Sequence, residues 1–396
     1  MRFESTRRYA RKGRAHQLTT GPDNPSLSSA WMTRVRTQSS GATVCEGPTS
    51  GVSRLTSEPF AAFANRVKAD LEGRLAAWLD ERVEEARRRG PDVALVADAV
   101  RQLTVRGGKR MRPALLAAAY ESFGGEGGSE SVVPAGVALE LLQTYLLAHD
   151  DWMDCDEVRR GGPSVPAMMR AHFGDSGMAA MSVLAGDLAA AWARRALFET
   201  DLPPARVILA ARELARVEEA VVQGQVLDVS GSVRSPDEIE AMHALKTASY
   251  SVRGPVTMGA QLAGASPDQI AGMVAFAEPL GVAFQLRDDV LDVFGDGRLM
   301  GRPAGSDLRK GKYSAVLVAE GGGEALARAF GQVTASEDDV RKAIASLETI
   351  GVRTRVERRI DALAQDALAA LERAALSVSS RSLLAGAVVA LTQRHV

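Results

Sequence analysis

From Pro59 onward the apolar positions recur at intervals of three and four, the spacing that gathers them on one face of an α-helix. The segment FAAFANRVKADLEGRLAAWLDERVEEARRRG, Phe60 to Gly90, sets the pattern, with Glu and Arg between the apolar residues. The same habit continues through Asp92–Val105, Leu115–Tyr120, Ile208–Val229, Met273–Phe294 and Thr354–Leu376. Alternating runs rich in Val, Ile and Thr are almost absent, so the period-two signal of strands is missing. Gly and Pro cluster at FGGEGGSE, DLPPAR, GASPDQ and AEGGGEA, which predict breaks between helices. No fixed-period repeat or low-complexity linker divides this region. The pattern predicts one all-α domain over residues 58–396.

Residues 1–57 read differently. MRFESTRRYARKGRAH is basic, and QSSGATVCEGPTSGVS is small, polar and rich in Gly and Ser. Arg7-Arg8 after Ser5-Thr6 resembles a twin-arginine export signal, but no apolar stretch follows it. An arginine-rich transit peptide is open on composition; the expectation is a disordered extension or an over-long start, outside the fold.

Composition narrows the function. A formal net charge of -1 argues against a nucleic-acid surface, and the 46% apolar share is ample for a full core. Cys45 and Cys155 supply neither a disulfide framework nor a zinc set, which fits a reducing, cytoplasmic setting. No uninterrupted apolar run approaches the roughly 18 to 20 residues of a membrane span. AGVALELLQTYLLA comes nearest and is broken by Glu140, Gln143 and Thr144, so no membrane span is expected.

Against that near-neutral background, HDDWMDCDEVRRGGP, His149 to Pro163, crowds four aspartates, a glutamate and two arginines together. On a helix Asp150 and Asp154 are one turn apart on one face, where like charges repel by a few tenths of a kcal/mol. A bridging cation would repay that cost. FQLRDDVLDVFGD repeats the arrangement with Asp288, Asp289 and Asp292. One such motif is as readily a solvated helix end; two, each flanked by core-like residues, point to a site. An all-carboxylate set suits a hard cation with oxygen ligands. Mg²⁺ is favoured, because it takes one or two carboxylates and completes its shell with water and substrate phosphates. Cys155, a soft thiol, is a poor ligand for that ion.

Basic residues complete the pattern. RGGKRMRP sets Lys109, Arg110 and Arg112 beside two glycines, a loop predicted to lead into a helix starting near Pro113, whose positive end also suits an anion. Arg159 and Arg160 follow the first acid cluster; Arg302, Lys310 and Lys312 follow the second. Each group alone reads as surface charge. Together they suggest anionic groups held partly through metal and partly by direct salt bridges.

GGKRMRP, DDWMDCDEVRRGGP, LAGD at Leu184–Asp187, GQVLD at Gly224–Asp228, Lys246-Thr247, FQLRDDVLD and GRPAGSDLRKGK occur in the order seen in the trans-isoprenyl diphosphate synthases. The chain resembles that polyprenyl synthetase family from Pro59 to its end. The resemblance implies an isoprenoid-synthase-type bundle of long helices around a central cavity, a homodimer, and acid motifs facing each other at the cavity mouth. It implies that Asp150, Asp154, Asp288 and Asp292 coordinate three Mg²⁺ ions on an allylic diphosphate, assisted by Arg159, Lys246 and Lys312. Lys109, Arg112 and Arg160 would hold isopentenyl diphosphate, with Gln143 as a further contact. Thr247 and Gln285 would turn oxygens toward the allylic cation. Two positions depart from the family's habit: Arg302, where Lys is usual, and Ser314, where Thr often stands. Arg302 keeps the charge but exchanges a compact ammonium for a fork.

The resemblance also bears on product length. Bulky residues just before the first acid motif form the floor of the cavity in this family, and here Tyr145 and Leu146 stand there. The helical spacing does not put Tyr145 squarely on the Asp150 face, so an ordinary core tyrosine is the alternative. An aromatic at that position with an uninterrupted DDxxD resembles the short-chain synthases, with geranylgeranyl diphosphate as expected product and farnesyl diphosphate as the alternative. A class I terpene cyclase would carry a different second metal motif and no GGKRMRP loop, and head-to-head synthases also lack that loop. A non-catalytic regulatory subunit would usually have lost one acid motif.

Overall fold

Each predicted helical stretch lies in a helix of the computed structural model, which describes residues 55–233, 235–295, 305–312, 314 and 323–393. The first, α1 (Glu58–Arg87), buries Phe60, Val67, Leu71, Leu75 and Leu79, the i, i+3/i+4 stripe read from the sequence. It is followed by α2 (Pro91–Val105), α3 (Met111–Ser122) and, after a short 3₁₀ turn, α4 (Val133–Met153). The chain then makes a small hairpin, β1 (Val158–Arg159) and β2 (Gly162–Pro163), before α5 (Val165–Phe198) and α6 (Pro204–Ser230). Next come α7 (Pro236–His243), a wide-turned π-helical stretch Ala244–Arg253, and α8 (Gly254–Ala263). The remaining helices are α9 (Pro267–Phe294), α10 (Ser306–Lys310), α11 (Gly323–Ala329), α12 (Glu337–Thr349), α13 (Val352–Arg373) and α14 (Val378–Thr392).

Two cores hold these helices together. The larger gathers α1 to α6, α8 and α14; the smaller gathers α11, α12 and parts of the π stretch, and α9 and α13 pass through both. A helix apolar enough to do this is buried on most of its faces. That explains why α4, with its 3₁₀ lead-in (Gly128–Met153), and α9 are long and apolar enough to cross a membrane by length and composition alone, at mean hydropathy 1.4 and 1.2. The expectation of no such segment rested on uninterrupted runs and did not average across Glu140 and Gln143. In the structure 61% and 44% of these windows are packed inside the protein, as core helices are.

Three local features were not expected from the sequence. The hairpin is antiparallel, pairing Val158 with Pro163 and Arg159 with Gly162, and its two turn residues, Arg160 (φ 53°) and Gly161 (φ 72°), are both left-handed. That is the turn a two-residue hairpin requires. Helix α3 begins at Met111, two residues before the predicted start, so Arg112 lies in its first turn with Pro113 just inside, where no internal N–H is missed. Finally, Lys246 and Thr247 lie on the π stretch, an arrangement that frequently marks functional sites. It packs so closely on α6 that a Cβ at Gly224 would stand 2.4 Å from the Lys246 backbone nitrogen. Only glycine permits that approach.

Candidate active site

Both acid motifs sit in the last turns of helices, Asp150 in α4 and Asp288 in α9, with Asp154 as the residue that caps α4. The C-terminal end of a helix carries partial negative charge, so carboxylates there are doubly disfavoured unless cations answer them. At the first motif they do. Lys246 Nζ lies 3.6 Å from Asp150 and 2.5 Å from Asp228 on α6, and the Gln225 amide donates to Asp150 at 3.1 Å. Lys312 pairs with Asp154, and Lys310 with Asp156 at 2.5 Å. Arg159 turns back from the hairpin to donate to Asp151 at 2.7 Å and to Asp156 at 3.1 Å, with Asp150 4.0 Å away.

These contacts set the charge states. Burial alone would push the Asp150 carboxyl up, but Lys246, Lys312 and Arg159 outweigh it and hold the group below its ordinary range. Burial likewise opposes the charge on Lys246 and Lys312, and the surrounding aspartates more than restore it. Asp151 is different: fully buried, it is pushed up to about 6 by that burial despite Arg159 beside it. The carboxylate presented toward the cavity is therefore Asp150, and Asp151 anchors the arginine behind it.

A cavity of about 500 Å³ opens from Asp150, bordered by Tyr145, Leu146, Lys246, Thr247 and Tyr250 and walled by valines of α6. A second, of about 320 Å³, is bordered by Lys109, Arg112, Gln143, Arg160, Gln285 and Asp288. Thr247 and Tyr250 border both. The first is apolar with a charged mouth; the second is polar and basic. Arg159 and Arg160, adjacent in sequence, serve opposite sides: Arg159 faces the acids, while Arg160 lies beside Gly108 and borders the basic cavity. Burial lowers the Arg160 pKa, Glu140 works against that shift, and Arg110 and Arg112 add to it; the concentration of positive charge favours an anionic ligand. Arg112 lies 4.3 Å over the Tyr250 ring and donates to the Ser251 hydroxyl at 2.7 Å. Behind them Arg110, left-handed at φ 49°, pairs with Glu140 of α4, both side chains all but fully buried.

Most of the expected site residues are thus brought to two adjoining cavities. Asp154, Arg159, Lys312 and Asp292 border neither: the first three belong to the ion-pair cluster beside Asp150, and Asp292 is 3% exposed in the wall of α9. Arg302 lies outside the described residues. The sequence assigned no role to Gln225 and Asp228, although their spacing of three within GQVLD puts them on one helix face, and it grouped Lys310 with the second acid motif, whereas Lys310 reaches Asp156 beside the first. Among the described residues no three His, Cys, Asp or Glu side chains form a ready metal cage. An open set of carboxylate oxygens, with Asp150 kept ionised, still fits Mg²⁺, which draws much of its shell from water and phosphate rather than protein.

Comparison with known proteins agrees with this arrangement. Residues 93–347 match the family model described as polyprenyl synthetase. The chain is 32% identical over 255 residues to a geranylgeranyl diphosphate synthase of Methanosarcina mazei, covering 64% of this chain and 76% of that one. It is 35% identical over 279 residues to a farnesyl diphosphate synthase of Geobacillus stearothermophilus, covering 67% and 86%. Its fold matches the crystal structure of a Corynebacterium glutamicum geranylgeranyl pyrophosphate synthase complexed with isoprenyl diphosphate and magnesium, at TM-score 0.77 and 30% identity, over 84% of this chain and 98% of that one.

Proposed function

The chain belongs to the polyprenyl synthetase family, and from that membership we propose that it is a Mg²⁺-dependent short-chain synthase whose main product is geranylgeranyl diphosphate. The observation that carries the proposal is the meeting of an apolar and a basic cavity at Thr247, beside Asp150 and Lys246. An allylic diphosphate has an apolar tail and a charged head, as the first cavity does. Isopentenyl diphosphate is small and charged, as the second is.

In this reading Asp150, Asp154 and Asp288 would hold Mg²⁺, three ions in all, and Asp292 would join them only by turning out of the α9 packing that buries it. Bound there, Mg²⁺ would supply electrostatic stabilisation of the departing diphosphate. Lys246, Lys312 and Arg159 release their aspartate partners in part and turn to the same diphosphate, adding charge fixed in place before the C1–O bond breaks. Lys109, Arg112 and Arg160 hold isopentenyl diphosphate, with Gln143 as a further contact, so that its double bond attacks C1. Thr247 and Gln285 turn oxygens toward the carbon that becomes positive, and the apolar walls keep water from capturing it. A proton is then lost to the departed diphosphate, leaving a product longer by five carbons. Tyr145 and Leu146 close the path of the growing tail. Farnesyl diphosphate is the second reading, since relatives carry both names.

Residues 58–396 form the catalytic domain in this proposal, and residues 1–57 an extension to it. The enzyme acts as a homodimer in this proposal: Val222, Val226 and Val229 of the α6 cavity wall are 49%, 61% and 60% exposed, and a second copy would cover them and close the open side of the cavity. A cytoplasmic setting suits the exposed free thiol of Cys155.

The test is incorporation of labelled isopentenyl diphosphate with dimethylallyl, geranyl or farnesyl diphosphate, with and without Mg²⁺, followed by chromatography of the dephosphorylated products. Mg²⁺-dependent formation of a twenty-carbon alcohol is expected. A fifteen-carbon end product would establish the second reading, and no incorporation with any allylic partner would overturn both.

A further inference from the structure

The proposed function leaves one carboxylate of the second acid motif without a task. Asp289 is 4% exposed, buried between α9 and the end of α7. Its Oδ1 accepts a hydrogen bond from the Gln285 amide nitrogen at 2.9 Å, and His243 Nε2 lies 3.5 Å from its Oδ2. His243 is itself 4% exposed and is the last residue of α7, three before Lys246 and four before Thr247. Gln285 borders the basic cavity together with Thr247.

A glutamine side chain presents an oxygen in one direction and an NH₂ in the other, and nothing in its shape decides which way it turns. An ionised carboxylate can only accept. Placed one helical turn behind Gln285, Asp289 draws the NH₂ toward itself and leaves Oε1 for the cavity side. We propose that Asp289, backed by His243, is a positioning residue whose role in prenyl transfer is to fix the Gln285 amide with its oxygen toward the reacting allylic carbon. The orientation matters because the carbon becomes positive: an oxygen there stabilises the charge, whereas an inverted amide would repel it. A glutamine–aspartate pair at i, i+4 on an exposed helix face would be a minor staple. Here the carboxylate is buried, its second oxygen faces a second element, and the glutamine borders a cavity.

The inference rests on the prenyl-transfer reading, so incorporation by the wild type is measured first; its absence would overturn that reading itself. In an active enzyme, Asp289→Asn offers Gln285 a donor as well as an acceptor and frees the amide to turn. The expected result is a fall in kcat of about 10- to 100-fold. KM for both substrates should stay within about 3-fold, and more of the allylic diphosphate should end as hydrolysed alcohol. The Mg²⁺ concentration for half-maximal rate should not move. In a Gln285→Leu background, Asp289→Asn should cost no more than about 2-fold further, because the group it orients is already gone. Losses that multiply in the double variant, or a shift in Mg²⁺ dependence, would overturn the proposal and make Asp289 a metal ligand. Should Asp289→Asn fail to fold, His243→Gln and His243→Leu carry the same test. Leu is expected to lower kcat more than Gln in the wild-type background, and neither should matter once Gln285 is Leu; equal effects in both backgrounds would overturn it.

Discussion

The two acid motifs share one sequence pattern and differ in construction. The first lies at the C-terminal end of α4, and its cations come from three separate places: Arg159 from the hairpin, Lys246 from the π stretch, and Lys310 and Lys312 from α10 and beyond it. The second lies within the last turns of α9, where Asp289 and Asp292 are buried in the helix packing and Asp289 is tied to Gln285 of the same helix. Among the described residues, the first motif is thus tied to charges brought from other elements, and the buried part of the second is tied into its own helix. A site that must grip a diphosphate and release it benefits from one adjustable side and one fixed side.

The largest effect should come from removing either side. Asp150→Ala and Asp288→Ala are each expected to lower kcat by about two to three orders of magnitude, as loss of a main electrostatic stabiliser does. Steady-state rates at saturating Mg²⁺ test this. Near-normal turnover in either variant would break the comparison by showing that one motif suffices.

Stability sharpens it next. Glu140→Ala leaves Arg110, buried between the helix of the first motif and the basic cavity, with only the more distant, exposed Glu72 carboxylate at 3.8 Å. Breaking such a pair costs about 3 to 5 kcal/mol, and urea denaturation should show that loss. Removing the exposed partner Glu157 of Arg170 should cost less than about 1 kcal/mol on the same scale.

Tyr145→Ala changes the product rather than the rate. The tyrosine borders the cavity that opens from the first motif, with its ring 4.9 Å from that of His149. Shortening it should add at least one five-carbon unit to the main product, as chromatography would show; an unchanged product would return Tyr145 to the role of a core residue. The smallest effect is expected from deleting Met1–Ser57, where the sequence shows no helical periodicity. Melting temperature and kcat should match those of the full chain, and an insoluble or inactive truncation would show that the domain begins earlier.

Much of this architecture was legible in the sequence because periodicity of three and four is a strong signal over helices as long as α1, α6 and α13. What escaped was short or non-local. Two-residue strands carry no readable period, so the left-handed turn at Arg160 that parts it from Arg159 was invisible. One extra residue per turn does not disturb an apolar pattern enough to announce the π stretch under Lys246 and Thr247. The acid pairs were plain from spacing, yet identical spelling concealed their unequal burial, since Asp292 and Asp154 differ only in what packs around them. Asp228 and Gln225 could have been found from their shared face; the approach of Lys310 to Asp156 spans 154 residues and could not.

The central claim is that both motifs hold one shared group of metal ions around a single diphosphate. Crystals grown with Mn²⁺ in place of Mg²⁺ and a non-hydrolysable allylic thiodiphosphate would show the metal directly by anomalous scattering. The account predicts metal peaks that touch the carboxylates of Asp150 and Asp288 through the same diphosphate, with Lys246 and Lys312 turned toward its oxygens. Metal confined to one motif, with the other still closed on its protein partners, would contradict it.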